Sequence, residues 1–574
     1  MQLRRGVCFG FREVGENFDE TREVHDNMRS HTRPSRADAW QAAAAWVVRE
    51  GGIVEGIDYD ASDFDGGAKA TDALATDTLI LRIPENVWIT AKVARTSPVG
   101  CAANIAIESA GEKLTGTPAD LVLAFFLAAD FSRSDNPFHS PYYDTLPVGD
   151  DAPSLMLPRC WSDAEIDACL RGSPLASEAK RTRAAVAADY ATVTALAQEA
   201  APLPDGWPLF ESFDWAVAIV SSRAFQLSTS TGEIDALVPV MDMLNHARPR
   251  QTRYDVVQVE GMASAALEVR TLRAAAGGAA VHITYGAKGS AQLLGMYGFA
   301  MVLNFEPDGS SNDVRELPLP IAAGSAQPAY LVHVPSSHAP LRIGPKSYAY
   351  GALNKAVDAF RAAAFAEWAA AASPGASKLE GVALEVRALR KLLEGIDEEL
   401  SRYGKDEESA SVALTSPPEA PEAVRNAAGY RVHVWTRRVA AAAAVVLNEI
   451  MTLAWYRLIV SLIFDVLSPS SGNVADGPTS DARRASAQRL KAEVEAERAQ
   501  AVVQAAAPSQ GPMSTEGQVA ALRRHASRGH AASVAMVYLQ IRFPALLKDA
   551  PGSQKMKKTT PDGAEGGSRK KMKG

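Results

Sequence analysis

Apolar positions are grouped differently in successive stretches of the chain. Asp38 stands as an N-cap before a helix expected over 39–50, and Gly51 and Gly52 close it. The run Thr-Leu-Ile-Leu-Arg-Ile at 78–83 predicts a short strand that stops at Pro84. Two helical stretches with turn signals fill 118–200, and a third, 213–225, follows the Pro- and Gly-rich 202–208. After Ala236 the runs shorten: 237–244, 255–259, 266–272 and 281–285 are strand candidates separated by turns with Gly and Arg. Helices that lead into a cluster of short strands predict an α+β domain rather than an alternating α/β one.

Beyond Gly344 the pattern is helical and Ala-rich. Leu379, Val382, Val386, Leu389, Leu393, Ile396 and Leu400 alternate spacings of three and four, which lines one helix face with apolar groups. Such a stripe suits either a coiled-coil seam or a helix packed on its own domain, and the short length favours the second. The most apolar stretch, 439–467, contains Asn448, Glu449 and Arg457, each costly at bilayer depth, and is read as a buried helix rather than a membrane span. Residues 468–477 and the charged, Ala/Gln/Ser-rich stretch to about Arg528 are expected to be disordered, the latter with some helical propensity. The domain expectation is therefore a disordered 1–37, an α+β domain over 38–312 with a helical insertion at about 100–235, a helical domain over 340–550 with a low-complexity insertion at about 468–528, and a basic tail over 551–574.

Composition narrows the function classes. At 574 residues and 47% hydrophobic content, several domains can each bury a core. The 59 Lys and Arg against 67 Asp and Glu give a net charge of −8, with no bulk attraction to phosphate backbones, so duplex nucleic acid is not an expected partner. The tail carries Lys555, Lys557, Lys558, Arg569, Lys570, Lys571 and Lys573, which fits a solvated end or an address for the nucleus or an acidic surface. Cys8, Cys101, Cys160 and Cys169 form no Cys-x-x-Cys pair, so neither a disulfide framework nor a thiolate zinc cluster is expected and a reducing, intracellular compartment is, with cytoplasm, nucleus and plastid all open. No apolar run like that of a secretory signal opens the chain.

Common catalytic signatures are missing: no phosphate loop, no Gly-x-Gly-x-x-Gly after a strand, no His-Glu-x-x-His and no Gly-x-Ser-x-Gly. What the chain has is a series of polar and aromatic groups in short order: Ser222-Arg223-Ala224-Phe225, Asp242-Met243-Leu244-Asn245-His246, Ile283-Thr284-Tyr285-Gly286 and Tyr297-Gly298-Phe299. Singly, an Asn-His is most often a turn and a Tyr-Gly an edge aromatic before a turn.

In this order and at these intervals the series resembles the SET-domain protein methyltransferases of the Rubisco large-subunit lysine methyltransferase type, a group that includes actin-histidine methyltransferases. The likeness spans about 40–310. It covers Ser222–Phe225, Asp242–His246, Tyr285–Gly286 and Leu293–Phe299, with Pro141–Pro147 and Trp161–Ser173 as flanking pieces. Where the family has a Gly-x-Gly-Leu turn near its start, this chain has Gly66-Gly67-Ala68-Lys69, and Gly289–Leu294 stands for the family's Ser-Asn-x-Glu-Leu-Leu.

The resemblance implies an α+β SET domain of short strands with a helical insertion, then a mostly helical domain that docks a protein substrate. It implies S-adenosylmethionine as cofactor, held by Arg223, Asp242, Asn245, His246, Tyr297, Phe299, Gly66 and Gly67, with Tyr285 as the catalytic residue and no metal. Arg223 would pair with the carboxylate of the cofactor's methionine part; a salt bridge is the alternative. Methyl transfer needs a neutral amine, and lysine's pKa of about 10.4 in water makes desolvation by aromatic walls the enabling step. On a strand, Val281, Ile283 and Tyr285 share one face. No cysteine follows Cys169, so a zinc-bearing lid after Phe299 is not expected and a folded non-histone protein becomes the expected substrate. Phe225 and Met241 stand where the histidine-methylating relatives carry Asn and Trp; apolar groups there favour a lysine stem over an imidazole that needs a second partner. A silent SET scaffold that binds a partner protein is the competing class.

Overall fold

The computed structural model describes residues 34–61, 66–133, 138–149, 155–230, 232–261, 264–306, 311–313, 348–371, 381–404, 406–427, 430–469, 479–504 and 514–547. The expected disordered start up to residue 33, the basic tail at 551–574 and Leu379 of the apolar stripe lie outside them. Among the described residues ten strands, β1 (Ile53–Val54), β2 (Ile57–Asp60), β3 (Gly67–Ala70), β4 (Leu79–Pro84), β5 (Ile89–Thr90), β6 (Ala224–Thr229), β7 (Gly232–Leu237), β8 (Thr252–Gln258), β9 (Ala265–Thr271) and β10 (Ala280–Val281), form three small antiparallel sheets. Their orders are β1-β4-β9-β8, β10-β3-β2 and β5-β7-β6.

The first helix, α1 (Arg36–Arg49), begins earlier than expected because its cap is Ser35, whose hydroxyl accepts from the Asp38 N–H at 3.1 Å. Asp38 then lies in the first turn, favourable against the helix dipole. Between β5 and β6 the insertion carries α2 (Pro98–Ala110), α3 (Pro118–Phe131), α4 (Pro174–Ala200) and α5 (Phe210–Arg223), with short helices Ser140–Tyr143 and Asp163–Cys169 between α3 and α4. Helix α5 stops at Arg223, not 225, since Ala224 and Phe225 are already extended and pair with Leu237 and Ala236. The apolar 237–244 is not a strand: β7 ends at Leu237, Val240 has φ +68°, and 241–243 make a 3₁₀ turn. Val238, Val240, Met241 and Leu244 are apolar because all four are buried, a demand that turns and strands share.

After β10 a short helix, α6 (Ser290–Tyr297), leads towards the helical half, which consists of α7 (Tyr348–Ala371), α8 (Gly381–Ser401), α9 (Glu407–Thr415), the short helix Glu422–Arg425, α10 (Val432–Leu467), α11 (Ser480–Gln504), α12 (Thr515–His525) and α13 (Arg528–Arg542). Of the stripe on α8, Leu389 and Ile396 are buried in this half and Val382, Val386, Leu393 and Leu400 pack partly buried against it, while Leu392, outside the stripe, is buried as well. Helix α10 has the length and apolarity to cross a bilayer, yet other helices pack on it and the polar residues that argue against a span are bonded. Asn448 and Glu449 are buried and hydrogen-bonded, and Arg457 pairs with Asp397 at 2.5 Å. The stretch expected to be disordered up to Arg528 instead carries α11 and α12. Its sparse apolar residues, Ala487, Leu490, Val494, Val519 and Leu522, are spaced to meet the helical core, which the average composition hid. The fold is thus an α+β domain of short strands with a helical insertion, followed by a helical half.

Candidate active site

The site forms where three distant pieces of chain cross. Beyond the 3₁₀ turn, residues 244–247 run parallel to the end of β10: Ile283 N–H donates to the Asn245 carbonyl at 2.9 Å, and Ala247 N–H to the Ile283 carbonyl at 3.0 Å. In such a parallel bridge the intervening residue, His246, turns its own N–H and C=O to the opposite edge. The Asn245 carboxamide donates through Nδ2 to the Gly66 carbonyl at 3.2 Å. Gly66 has φ +80°, and a Cβ there would lie 2.3 Å from the Tyr59 hydroxyl, so glycine is required. The Gly66 turn, the Asn-His pair and the segment leading to Tyr285 are therefore one unit.

The His246 Nδ1 accepts the Tyr285 N–H at 2.9 Å, which places the imidazole proton on Nε2. That Nε2 is buried with no hydrogen-bond partner among the described residues. Burial, with the positive charges of Arg248, His282 and Lys288, lowers the His246 pKa to about 4, so the ring is neutral at pH 7. The Tyr285 hydroxyl donates to the Leu244 carbonyl at 3.2 Å, leaving its oxygen lone pairs as acceptors. Its ring stacks on Tyr297 at 4.7 Å and 27° and meets Phe299 edge-on at 6.2 Å and 69°. His246 lies 5.2 Å from Tyr285 and 6.1 Å from Phe299 between ring centres. Tyr297 ends α6, and Gly298, at φ +79° with Met156 Cβ only 2.8 Å from where a Cβ would stand, bends the chain to bring Phe299 back. Burial pushes the Tyr297 phenol up to about 12. The strand expected over 281–285 is shorter: β10 ends at Val281, and Ile283 continues through its bridge to His246.

Two expected site residues lie beneath the surface instead. The Asp242 carboxyl is fully buried: its Oδ2 accepts the Tyr142 hydroxyl at 3.0 Å and Arg223 Nη1 at 3.1 Å, which braces the site from below, while its Oδ1 has no hydrogen-bond partner among the described residues. Met241 has no exposed surface and belongs to the core; the apolar demand read there is one of packing. Arg223 also donates from Nη1 to the Asp242 carbonyl at 3.0 Å. Burial works against its charge, but Asp242 outweighs it and holds the guanidinium pKa above its ordinary value. Both expectations for Arg223 are thereby changed: it makes a buried salt bridge, not a surface one, and a cofactor carboxylate would have to meet its other nitrogens. Phe225 is half-buried beside Tyr254, edge-on at 6.0 Å and 77°. Gly67 opens β3 and pairs with Asp60 of β2.

Sequence reasoning missed four neighbours. Tyr254 on β8 faces Phe225. Tyr142 anchors Asp242 from the insertion, 100 residues away in sequence. Arg248 donates to the Thr284 hydroxyl at 3.0 Å and pairs with Glu306, holding the residue before Tyr285. Lys288 sits 5.9 Å over the Tyr297 ring. Alternation along β8 could have marked Tyr254; Tyr142 and Arg248 are long-range pairings with no local signal, and Lys288 lies only nine residues before Tyr297.

This arrangement of threaded strand ends, helical insertion and helical extension is the SET-domain fold with the helical half found in Rubisco large-subunit methyltransferases. The SET domain of LSMT bound to lysine and AdoHcy superposes with a TM-score of 0.55 at 19% identity, over 76% of this chain and 93% of that one. Rubisco LSMT bound to sinefungin and monomethyllysine gives 0.53 at 20% identity over 75% and 93%. Rubisco LSMT bound to AdoMet gives 0.51 at 19% identity over the same shares, 75% and 93%. No family model and no curated protein matches the chain.

Proposed function

We propose that the chain is an S-adenosylmethionine-dependent methyltransferase that acts on a lysine side chain of a folded non-histone protein. The observation that carries the reading is the aromatic cluster of Tyr285, Tyr297 and Phe299, assembled where the Gly66 turn crosses Asn245 and His246. The residues present fit the cofactor. His246 offers a main-chain N–H and C=O on one edge for an adenine, its orphaned Nε2–H is a further buried donor, and the Gly66 turn permits close backbone approach. Asn245, His246, Gly66, Phe299 and the remaining nitrogens of Arg223 would hold it.

Bound there, S-adenosylmethionine supplies an electrophilic methyl group on a sulfonium. The chain's part is alignment and desolvation. Tyr285, with its proton directed to Leu244, offers oxygen lone pairs to an incoming amine, and the stacked faces of Tyr285 and Tyr297 strip water from it, which disfavours the ammonium. The neutral His246 adds no charge and fixes the Tyr285 backbone. Phe225 and Tyr254 offer aromatic surface to an aliphatic stem, which supports lysine over histidine as acceptor. The helical half is the proposed docking surface, since α10 reaches the site helix directly: Asn448 Nδ2 donates to Ser290 Oγ at 3.2 Å and to the Met301 carbonyl at 2.9 Å.

Incubation with radiolabelled S-adenosylmethionine and a cell extract, followed by mapping of the label, tests the proposal. A methyl on lysine Nζ of one folded protein is the expected result, with a higher kcat/KM than for a peptide cut from the same site. Label on histidine overturns the acceptor. Absence of labelling together with absence of S-adenosylmethionine binding by calorimetry overturns the enzyme and leaves a scaffold.

A further inference from the structure

Lys288 is half-buried beside the aromatic cluster with a role that alignment and desolvation do not use. Its ammonium stands 5.9 Å over the Tyr297 ring, whose other contacts include the stack with Tyr285 at 4.7 Å. The remaining charged and titratable groups here come from every surrounding element. Arg223 at the end of α5 is paired with the buried Asp242, and Arg248 after the Asn-His pair is joined to Glu306. Just before β8, Arg250 donates to the Thr252 carbonyl and bears on Tyr254. His282 meets Gln251 at 3.3 Å, and His246 is neutral. Among the described residues Lys288 makes no ion pair: Glu306 is joined to Arg248, and the buried Asp313, its pKa raised by burial to about 6, accepts the Ser290 N–H at 2.5 Å. Lys288 contributes to the positive field felt at His246, next to Tyr285.

We propose that Lys288 is a positioning residue that keeps the acceptor amine neutral: held on the Tyr297 ring at the edge of the Tyr285 site, its ammonium disfavours a second cation in the aromatic channel. The inference rests on the methyltransferase reading. The amine's proton passes to solvent before transfer, and the like charge nearby favours that loss, while the aromatic face keeps Lys288 itself stabilised.

The test is the pH dependence of kcat with Nα-acetyl-L-lysine amide as acceptor, which reports ionisations in the bound complex. Lys288→Met should raise the apparent pKa of the rising limb by roughly 0.5–1 unit, lowering kcat at pH 7 by about 3–10-fold, with the curves converging at high pH. Lys288→Arg should keep the wild-type profile. A Lys288→Met profile that coincides with the wild type, or lies parallel below it at every pH, overturns the inference. A second measurement needs no turnover: with S-adenosylhomocysteine present at pH 7, the wild type should bind Nα-acetyl-norleucine amide more tightly than the lysine amide, and Lys288→Met should shrink that preference. An unchanged ratio overturns the role just as firmly. Wild-type protein that binds no S-adenosylhomocysteine and methylates no protein defeats the methyltransferase reading itself, an outcome distinct from either.

Discussion

Tyr285 owes its place to bonds it does not make with its own side chain. His246 receives its N–H, and Arg248 holds Thr284 just before it, so the phenol can be altered without releasing the backbone. Tyr285→Phe should therefore keep the melting temperature and cofactor affinity while turnover falls by roughly 10²-fold, the scale for one lost transition-state contact. Full activity in a folded variant would remove the hydroxyl from the mechanism. Arg223→Ala is a poorer probe, because it leaves Asp242 buried and unpaired and should cost about 3–5 kcal/mol of stability as well as affinity. A second residue-scale consequence concerns acid. His139, buried among Trp46, Phe138 and Tyr143, has its pKa lowered by burial to about 4, as does His246. Both bind a proton more readily when unfolded, near pH 6.5, so stability rises with pH across this window and is lost as pH falls from 6.5 towards 4. The upper bound is roughly 3 kcal/mol for each. Thermal melts of His139→Phe between pH 7 and pH 4 should show a shallower acid slope than wild type, and identical slopes would show that His139 does not carry it.

At the scale of elements, α10 is the piece through which the helical half touches the site. Asn448 bonds Ser290 at the start of α6 and Met301 beyond its end, so it spans the segment that presents Tyr297 and Phe299. Asn448→Leu removes one of two donors to the Met301 carbonyl, which keeps the Ser290 hydroxyl, a cost of about 0.5–1.5 kcal/mol. Because the loss falls on α6, cofactor affinity measured by calorimetry should weaken together with the denaturation midpoint. A lower midpoint with unchanged affinity would show that α10 supports only packing. The elements also show what could be read in advance. The stripe on α8 was legible because burial on one face leaves a period in the sequence, and β4 because a run of aliphatic residues closes at Pro84, with Ile80, Leu81 and Ile83 all buried. The apolar 237–244 misled because all-round burial has no period, and α11 and α12 were obscured because a polar helix needs only a few buried residues per turn to be held. Within the site, the Asn-His and Tyr-Gly signatures were visible as local patterns. Tyr142 and Arg248 act across long sequence separations, and although Pro141–Pro147 and the Tyr285 region were singled out, nothing in them marked Tyr142 or Lys288 as part of the site.

For the whole molecule, the two halves are joined by a shared core, and this changes what truncation would do. From sequence alone, a chain ending near Pro340 keeps every cofactor signature and either binds cofactor while failing to methylate a folded protein or exposes apolar helix-packing surface and aggregates. The structure favours the second outcome. Trp161, Ile166, Leu170, Leu175 and Leu294 of the first half form one cluster with Val424, Trp435, Val439, Ala442 and Val445 of the second. Arg438 stacks over Trp161 at 5.4 Å, pairs with Glu165 and caps the Leu155 carbonyl at 2.7 Å, and Glu449 accepts from Ser173 at 3.0 Å. Removing the helical half uncovers this cluster and strands Glu165 and the Ser173 hydroxyl, so the shortened chain should aggregate. The coupling is testable in the intact protein through Trp435, which is 5% exposed and donates to the Pro418 carbonyl at 2.9 Å. Trp435→Ala should cost about 3–5 kcal/mol. If the shared core makes the halves cooperative, denaturant unfolding followed by proteolytic nicking within 34–306 and within 381–547 should shift together to lower denaturant. Two separated transitions, with only the C-terminal one displaced, would show that the halves fold independently and that the shared core is a contact between finished domains.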